Sequence, residues 1–249
     1  MKKYILLVVL VFVLALSGCD EKEDVLVVLT SSGYEPYEMV DTNGELTGFD
    51  IELMEALAEE VGVVIEWKDV NFDGIIASLQ SGSYEVAIAG ISPTAARDEV
   101  IDFSSVYYNS ESGLLNNLVF ETTAGYESLS DFEGKIIGAQ LGTIQADILD
   151  EYSSVYGYTV ELRAQNSQLV EEVKIGTIDA VLLENLVADS ILELNSTFSK
   201  VVVEESTDSI YGNAIAFSED SEYVALFNEA LKTLEENDTL QSLIDKWFN

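Results

Sequence analysis

Short apolar segments of strand type alternate with amphipathic segments of helical period, and this alternation runs twice along the chain. In the first run, VLVVLT (25–30) reads as a strand, FDIELMEALAEEV (49–61) as a helix and YEVAIAG (84–90) as another strand. The second run begins at KIIGAQ (135–140) and includes DAVLLE (179–184). Alternating strands and helices predict an α/β fold with mixed, mostly parallel sheets flanked by helices.

Helical periodicity is clearest in the first helix and near the C-terminus. The first helix has one apolar face and a glycine stop at Gly62, and its facing residues are Ile51, Met54, Leu57, Ala58 and Val61. A long amphipathic helical region is predicted from about residue 221 to residue 248. No Pro- or Gly-rich linker separates the two runs, and ESGLLNNLVF (111–120) is predicted to be a strand that crosses between two lobes.

Composition and missing residue types exclude several functions. The 249 residues include 46 acidic and 11 basic side chains, and the net charge of −35 argues against a nucleic-acid partner. The chain has no histidine, which excludes Ser–His–Asp and Cys–His catalysis and histidine-bearing zinc sites. No glycine-rich nucleotide motif is present. We therefore predict a recognition protein with no cofactor and assign no metal site, although abundant carboxylates leave a calcium site open.

The N-terminus has the features of an export signal. Two lysines precede an apolar run from Tyr4 to Leu16, which is too short for an ordinary membrane span. LSGC (16–19) resembles the lipobox of bacterial lipoproteins, in which the cysteine becomes lipidated. We predict a signal peptide over 1–18, a lipidated tether over 19–24 that begins at Cys19, and a protein anchored outside the cytoplasmic membrane. The alternative is an ordinary secreted protein with one free thiol.

Arg97 is one of only two arginines, and it follows a strand in the segment AGISPTAAR (89–97). Ligands of open α/β folds gather where strands end and helices begin, so the hydroxyls of this loop and a guanidinium one turn later suit a carboxylate ligand. The alternative is an exposed arginine that pairs with Asp98 or Glu99. From spacing alone the two interpretations have equal weight.

Several segments together resemble the polar amino acid-binding proteins that serve ABC importers. GISPTAARDEVIDFSSVYY (90–108) is similar to that family's segment with a conserved arginine, and GYEPYEM (33–39) is similar to its aromatic segment. The similarity continues in order along the chain through GELTGFDIELMEALAEEVG, FDGIIASLQSGSYEVAIAG, SLSDFEGKIIGAQLGT, GTIDAVLLEN and TLQSLIDKWF.

The resemblance implies a two-lobed periplasmic-binding-protein (Venus flytrap) fold with two crossing strands as the hinge. Lobe 1 would comprise 25–113 and 211–249, and lobe 2 would comprise 114–210. In this family Arg97 would bind the α-carboxylate of an amino acid, with help from Ser92, the backbone near Gly90 and the backbone N–H groups of Thr143 and Ile144. Glu184 occupies the position of an aspartate that binds the α-ammonium, and Tyr34 and Phe72 occupy the aromatic positions that enclose the ligand side chain.

Three departures from the family pattern bear on the ligand. Ser31 stands where relatives for basic ligands carry Asp or Asn, Ile144 lacks a frequent hydroxyl, and Glu184 is one methylene longer than aspartate. We expect Gln140, Leu183 and Ser31 to line the side-chain end of the pocket. Facing aromatics suit a cation, an amide or an apolar group, and we favour a polar or basic L-amino acid.

The expected function is a monomeric, non-enzymatic receptor that delivers an amino acid to an ABC importer permease. Two other functions stay open at this stage. The fold also hosts a cyclohexadienyl dehydratase, for which turnover of arogenate or prephenate would be diagnostic. A ligand-sensing lobe for a membrane signalling partner is the other, and adjacent permease and ATPase genes would argue against it.

Overall fold

The computed structural model describes residues 25–109, 115–204 and 212–249, and these form two five-stranded sheets with flanking helices. The predicted signal peptide, Cys19 and the tether lie outside the described residues. The predicted lobe boundaries near 113 and 210 do so as well.

The first sheet has the strand order β4-β1-β5-β12-β6. β1 is parallel to β4 and β5, whereas β12 is antiparallel to β5 and β6. All strands but β12 therefore run in one direction, which confirms the prediction of a mixed, mostly parallel sheet. The strands are β1 (Val25–Thr30), β4 (Val64–Asp69), β5 (Val86–Ala87), β6 (Asp102–Phe103) and β12 (Ala216–Phe217).

The second sheet has the order β11-β7-β10-β8-β9, and here only β7 runs against the others. Its strands are β7 (Asn116–Glu121), β8 (Ile136–Gln140), β9 (Thr159–Arg163), β10 (Ala180–Glu184) and β11 (Phe198–Val203). The described part of the predicted crossing strand, residues 115–120, pairs within this sheet as β7. A short hairpin, β2 (Met39–Val40) and β3 (Leu46–Thr47), lies apart from both sheets.

Helices cover both faces of each sheet with apolar side chains. They are α1 (Phe49–Val61), α2 (Ile75–Gln80), α3 (Ala95–Asp98), α4 (Ile144–Tyr156), α5 (Asn166–Lys174), α6 (Asn185–Leu194), α7 (Tyr223–Glu236) and α8 (Thr239–Phe248). Leu53 of α1 and Phe227 of α7 are fully buried on one face of the first sheet, and Leu79 of α2 is fully buried on the other. Burial of this kind contributes about 1.5–3 kcal/mol for each large apolar side chain.

The helical region near the C-terminus is two helices and not one. α7 ends at Glu236 and α8 begins at Thr239, because Asp238 has a left-handed backbone with φ of 64°. Aspartate tolerates this conformation better than most residues. α8 then returns to the first sheet, where Phe248 packs 4.5 Å from the ring centroids of both Phe49 and Tyr108.

The described part of the chain lacks two features, a membrane-spanning helix and a cluster of metal ligands. No helix within 25–109, 115–204 and 212–249 has the length and apolar character needed to cross a membrane. Over the same ranges, no cluster of three or more His, Cys, Asp or Glu side chains is placed to hold a metal ion.

Candidate functional site

A cavity lies where the two sheets face each other, and both halves of the chain line it. The lining residues from the half that contains the first sheet are Ser31, Tyr34, Glu38, Phe72, Ala89, Gly90, Ser92, Arg97 and Asn213. Those from the second sheet and its helices are Asn116, Gln140, Thr143, Ile144, Gln145 and Glu184. The structure thus brings together every residue that the sequence suggested for the ligand site except Leu183. That side chain lines an adjoining space of about 160 Å³ that shares Tyr34 and Gln140 with the cavity.

Arg97 lies in the four-residue helix α3, one turn after a threonine cap. The Thr94 hydroxyl accepts a hydrogen bond from the Arg97 backbone N–H at 3.3 Å, which begins the helix at this point. The guanidinium donates to the carbonyl oxygen of Ser92 at 2.9 Å and to that of Gly142 at 3.1 Å. The second bond links the two halves of the molecule. No ion pair joins Arg97 to Asp98 or Glu99 in the described structure, so the alternative of a surface pair is wrong.

The electrostatic state of Arg97 is that of a half-buried cation facing a cavity. Burial lowers the pKa of Arg97, and the negative charge of Asp147 acts in the opposite direction. An arginine stays protonated at any physiological pH. Its side chain therefore brings a full positive charge to the cavity wall, where an anionic ligand group can pair with it.

Glu184 ends β10 and caps α6 on the opposite side of the cavity. Its side chain is only 3% exposed, and Oε1 accepts a hydrogen bond from the Leu186 N–H at 3.2 Å. Oε2 is buried and makes no hydrogen bond of full geometry within the described residues, although the Tyr37 hydroxyl lies close enough to lower the pKa of the carboxyl. Burial raises the pKa of Glu184 to about 7, and the hydrogen bond from the Leu186 N–H partly offsets that rise. The carboxyl group therefore lacks one strong donor, which a ligand cation could supply.

The two predicted aromatics form part of the cavity wall next to Arg97. The Phe72 ring is 9% exposed, and the Arg97 guanidinium carbon lies 5.6 Å from its centroid. Tyr34 stacks on Tyr37 with 5.5 Å between ring centroids. Tyr34 also lies directly over Gly90, where a Cβ atom would come within 2.9 Å of the ring and the backbone φ is +56°. Glycine at this position is therefore required by the tyrosine ring as well as by its backbone.

Two of the backbone groups that the sequence suggested for the ligand carboxylate already have partners. The Gly90 N–H donates to Asp50 Oδ2 at 2.6 Å, and the Thr143 N–H donates to the Gln140 carbonyl oxygen at 3.4 Å. The Gln140 side chain is engaged as well, because its amide nitrogen donates to the Ala164 carbonyl and its oxygen accepts from Asn166. Arg97 is thus the chief donor that the cavity offers to an anion.

Sequence reasoning missed five cavity residues: Glu38, Ala89, Asn116, Gln145 and Asn213. Glu38 is 1% exposed, and its Oε2 has no donor among the described residues. Gln145 donates to Asn116 across 2.8 Å, and Ser92 donates to Asn213 across 3.3 Å. A signal existed for two of them, because Asn116 and Asn213 are polar residues inside the otherwise apolar segments LLNNLVF and YGNAIAF.

Comparison with known proteins gives the family of this fold and site. The family model of bacterial extracellular solute-binding proteins, family 3, matches residues 26–249. The arginine-binding extracellular protein ArtP of Bacillus subtilis (strain 168) is 36% identical over 256 residues, covering 100% of this chain and 98% of that protein.

Solved structures with the same fold support the match. The structure described as an ancestral arginine-binding protein bound to arginine has a TM-score of 0.82 and 33% identity, over 90% of this chain and 98% of that one. The ancestral amino acid-binding protein AncCDT-1, described as a precursor of cyclohexadienyl dehydratase, has a TM-score of 0.79 and 28% identity, over 90% and 96%. These relatives are binding proteins, which agrees with the prediction of a receptor and not an enzyme. The chain therefore belongs to family 3 of the bacterial extracellular solute-binding proteins.

Proposed function

We propose that this protein binds a cationic L-amino acid of the arginine type in the cavity and delivers it to an ABC importer permease. The observation that carries the proposal is the placement of Arg97 and Glu184. Arg97 is half-buried and Glu184 is buried, and these groups of opposite charge type face one cavity from opposite halves of the molecule. A family relative and a structural neighbour named for arginine support the choice of ligand class.

Charge pairing is the physical reason for this assignment. A zwitterion enclosed by protein needs a partner for each charge, because an unpaired buried charge costs several kcal/mol. Arg97 would bind the α-carboxylate with a bidentate guanidinium, and Glu184 would bind the α-ammonium with its unpaired Oε2. The two partners come from different halves, so a ligand that holds both also holds the halves together.

The cavity has a second carboxyl group that a neutral amino acid would leave unused. Glu38 lines the cavity from the first half, so one guanidinium faces two carboxyls, counting Glu38 and Glu184. A ligand with one negative and two positive charges complements this set. The Phe72 ring offers a face for a flat guanidinium as well. We therefore assign the ligand side chain to the space between Glu38 and the aromatics, with the Ser31 hydroxyl nearby.

Location and assembly follow from the family and the N-terminal sequence. Members of this family act outside the cytoplasm. Cleavage before Cys19 and acylation of that residue would anchor the protein to the outer face of the membrane. Lobe 1 over 25–113 and 211–249 and lobe 2 over 114–210 would close on the ligand as a monomer, and no cofactor is required.

A thermal-shift and calorimetry panel of the mature domain tests the proposed ligand class. The panel contains L-arginine, L-lysine, L-histidine, L-glutamine and L-cystine, with agmatine as the matched control because it is arginine without the α-carboxylate. At a thousandfold excess over its Kd, a ligand stabilises the fold by about 4 kcal/mol, which is a rise in Tm of about 8–16 °C for a domain of this size. We expect the largest shifts with L-arginine or L-lysine and none with agmatine. Equal shifts with agmatine would indicate nonspecific cation binding to an acidic surface, and no shift with any amino acid would overturn the proposal.

Phe72→Ala should weaken binding without unfolding the protein. The ring lies at the cavity wall, so its loss removes stacking and burial against the ligand, for which we expect about 1–3 kcal/mol in the binding free energy. Isothermal titration calorimetry measures the change in Kd. Tyr84→Ala is the matched control, because Tyr84 is a half-buried aromatic of the same half that does not line the cavity. Equal effects of the two substitutions would place Phe72 in the core and not in the site.

A further inference from the structure

Two buried carboxyl groups lie side by side at the edge of the cavity. The segment that contains Glu38 is held against the start of α1, because the Phe49 N–H donates to the Pro36 carbonyl at 3.0 Å and the Asp50 N–H donates to the Tyr37 carbonyl at 2.9 Å. This pairing brings the Asp50 carboxyl within hydrogen-bonding reach of the Glu38 carboxyl. Glu38 is 1% exposed and Asp50 is fully buried.

In the described structure one oxygen of this pair has two hydrogen-bond donors, and two others have none. Asp50 Oδ2 accepts from the Gly90 N–H at 2.6 Å and from the Tyr107 hydroxyl at 2.9 Å. Asp50 Oδ1 and Glu38 Oε2 are both buried and have no donor in the described part of the chain. Two neighbouring acceptors without a donor repel each other unless a proton lies between them.

We propose that Glu38 and Asp50 share one proton, and that Asp50 is a positioning residue that sets the pH range in which Glu38 offers a negative charge to the cationic side chain of the ligand. The part about the ligand rests on the proposed function, whereas the shared proton does not. Asp50 itself touches Glu38 and the Gly90 backbone and does not line the cavity.

The surroundings of the pair favour a shared proton over two ionised carboxylates. Burial raises the pKa of Glu38 well above its usual value, and the neighbouring Asp50 raises it further, with a smaller contribution from Asp69. Burial raises the pKa of Asp50 to about 7 against the hydrogen bonds from Gly90 and Tyr107. The other titratable groups around the pair interact electrostatically with it or with the tyrosines beside it. They are Tyr34, Tyr37, Tyr107, Glu184 and Arg97. Such a pair loses its two protons in separate steps.

The shared proton gives the pair a single negative charge. With Arg97 positive and Glu184 negative, the cavity then has one net negative charge, which matches a ligand with one net positive charge. Falling pH adds the second proton and removes the partner of the ligand cation. Affinity for a cationic amino acid should therefore decrease as pH falls through about 7. For every proton that the pair takes up, the Kd should rise by up to tenfold per pH unit.

Asp50→Asn separates this role from a structural one. Asparagine has the same shape, its oxygen can accept from Gly90 and Tyr107, and its NH₂ group can donate to Glu38 Oε2. The contribution of Asp50 to the raised pKa of Glu38 would then be lost, so Glu38 would ionise at lower pH than in the wild type, although burial still raises its pKa. Calorimetry with L-arginine from pH 5.5 to 8.5 should show the decrease in affinity shifted to lower pH by at least about one unit. A structural role alone would change stability and leave the shape of this profile as it is in the wild type.

A measurement without ligand tests the shared proton itself. Infrared spectroscopy at pH 7 detects the C=O stretch of a protonated carboxylic acid, which we expect in the wild type and expect to decrease in Asp50→Asn and in Glu38→Gln. Glu184→Gln, measured in parallel, accounts for the contribution of that residue. If both variants of the pair keep the wild-type signal, or if the pH profile of Asp50→Asn matches the wild type, the proposal is overturned. Failure of every amino acid to bind would overturn the proposed function while the infrared result still decides the shared proton.

Discussion

Arg97→Ala should weaken the binding of every amino acid by at least about thirtyfold while the protein stays folded. Among the described residues Arg97 is the only cation of the cavity wall, so its loss leaves the α-carboxylate of the ligand without a charged partner. Removing one member of a buried charge pair costs about 2–5 kcal/mol, a loss between roughly thirtyfold and several thousandfold in Kd. Titration calorimetry with the ligand found in the panel measures this loss.

The fold should tolerate Arg97→Ala because the hydrogen bonds assigned to the guanidinium in the described part of the chain go to two backbone carbonyls, and its contact with Asp147 is electrostatic. The Ser92 and Gly142 carbonyls that lose a donor lie next to the cavity, where water can replace the guanidinium. Burial also disfavours the charge that the substitution removes. We therefore expect Tm without ligand to change little, and a cooperative unfolding transition to remain.

The other arginine of the chain is a matched control. Arg163 lies on β9, donates to Glu161 and Glu172 at 2.8–3.0 Å, and has no contact with the cavity. Arg163→Ala removes the same charge from the same acidic protein and should leave Kd unchanged. Agmatine adds a second control, because it lacks the group that Arg97 binds and should not distinguish wild type from Arg97→Ala. Equal losses in the two arginine variants, or a Kd of Arg97→Ala within about tenfold of the wild-type value, would refute the carboxylate assignment.

The local sequence signal of Arg97 made it a candidate, and the resemblance to a family favoured the ligand-binding interpretation over the surface pair. A strand, a loop with hydroxyls and the first turn of a helix lie within AGISPTAAR, and the chain has only one other arginine. The same local reasoning correctly located α1 with its Gly62 stop. It failed at the break between α7 and α8, although Asn237 and Asp238 are residue types that tolerate left-handed backbone.

Other parts of the site depend on pairings that a single sequence does not specify. Asn213 reaches Ser92 across 121 positions of sequence because β12 lies between β5 and β6. Glu38 reaches Asp50 only because its segment bonds to the start of α1. Neither hydrophobic periodicity nor turn-forming residues specify these two pairings. The sequence therefore shows the polar residues involved but does not predict which residues they contact. Tyr34, Phe72 and Glu184 became candidates only through the resemblance to a family, because they occupy matching positions in motifs that follow in the same order along the chain.

Glu184→Gln should weaken amino acid binding about as strongly as the arginine substitution. Glutamine keeps the length of the side chain, and its oxygen can still accept the Leu186 N–H at the start of α6, so the helix cap is preserved. The negative charge opposite the α-ammonium is lost, for which we expect about 2–5 kcal/mol at pH 8. Glu193→Gln, on the exposed face of the same helix, removes one charge from the protein and should leave Kd unchanged.

The difference in affinity between the wild type and Glu184→Gln should depend on pH. Burial raises the pKa of Glu184 to about 7, so the wild-type carboxyl becomes neutral as pH falls below that value. A neutral carboxyl resembles glutamine as a partner for an ammonium group. The ratio of the two dissociation constants should therefore be large at pH 8.5 and become smaller towards pH 5.5. A ratio that stays constant over this range would mean that Glu184 does not titrate in the site.

A ligand without the α-amino group shows whether Glu184 acts on that group and not through general charge. Guanidinopentanoic acid retains the carboxylate and the guanidinium of arginine, and it should bind the wild type more weakly than arginine does. In Glu184→Gln the two compounds should bind almost equally, because the carboxyl that distinguishes them is gone. The non-additivity of the Glu184→Gln substitution and the removal of the α-amino group measures the interaction between these two groups. An undiminished preference for arginine in the variant would assign the ammonium to another acceptor, and Glu38 is the other carboxyl of the cavity wall.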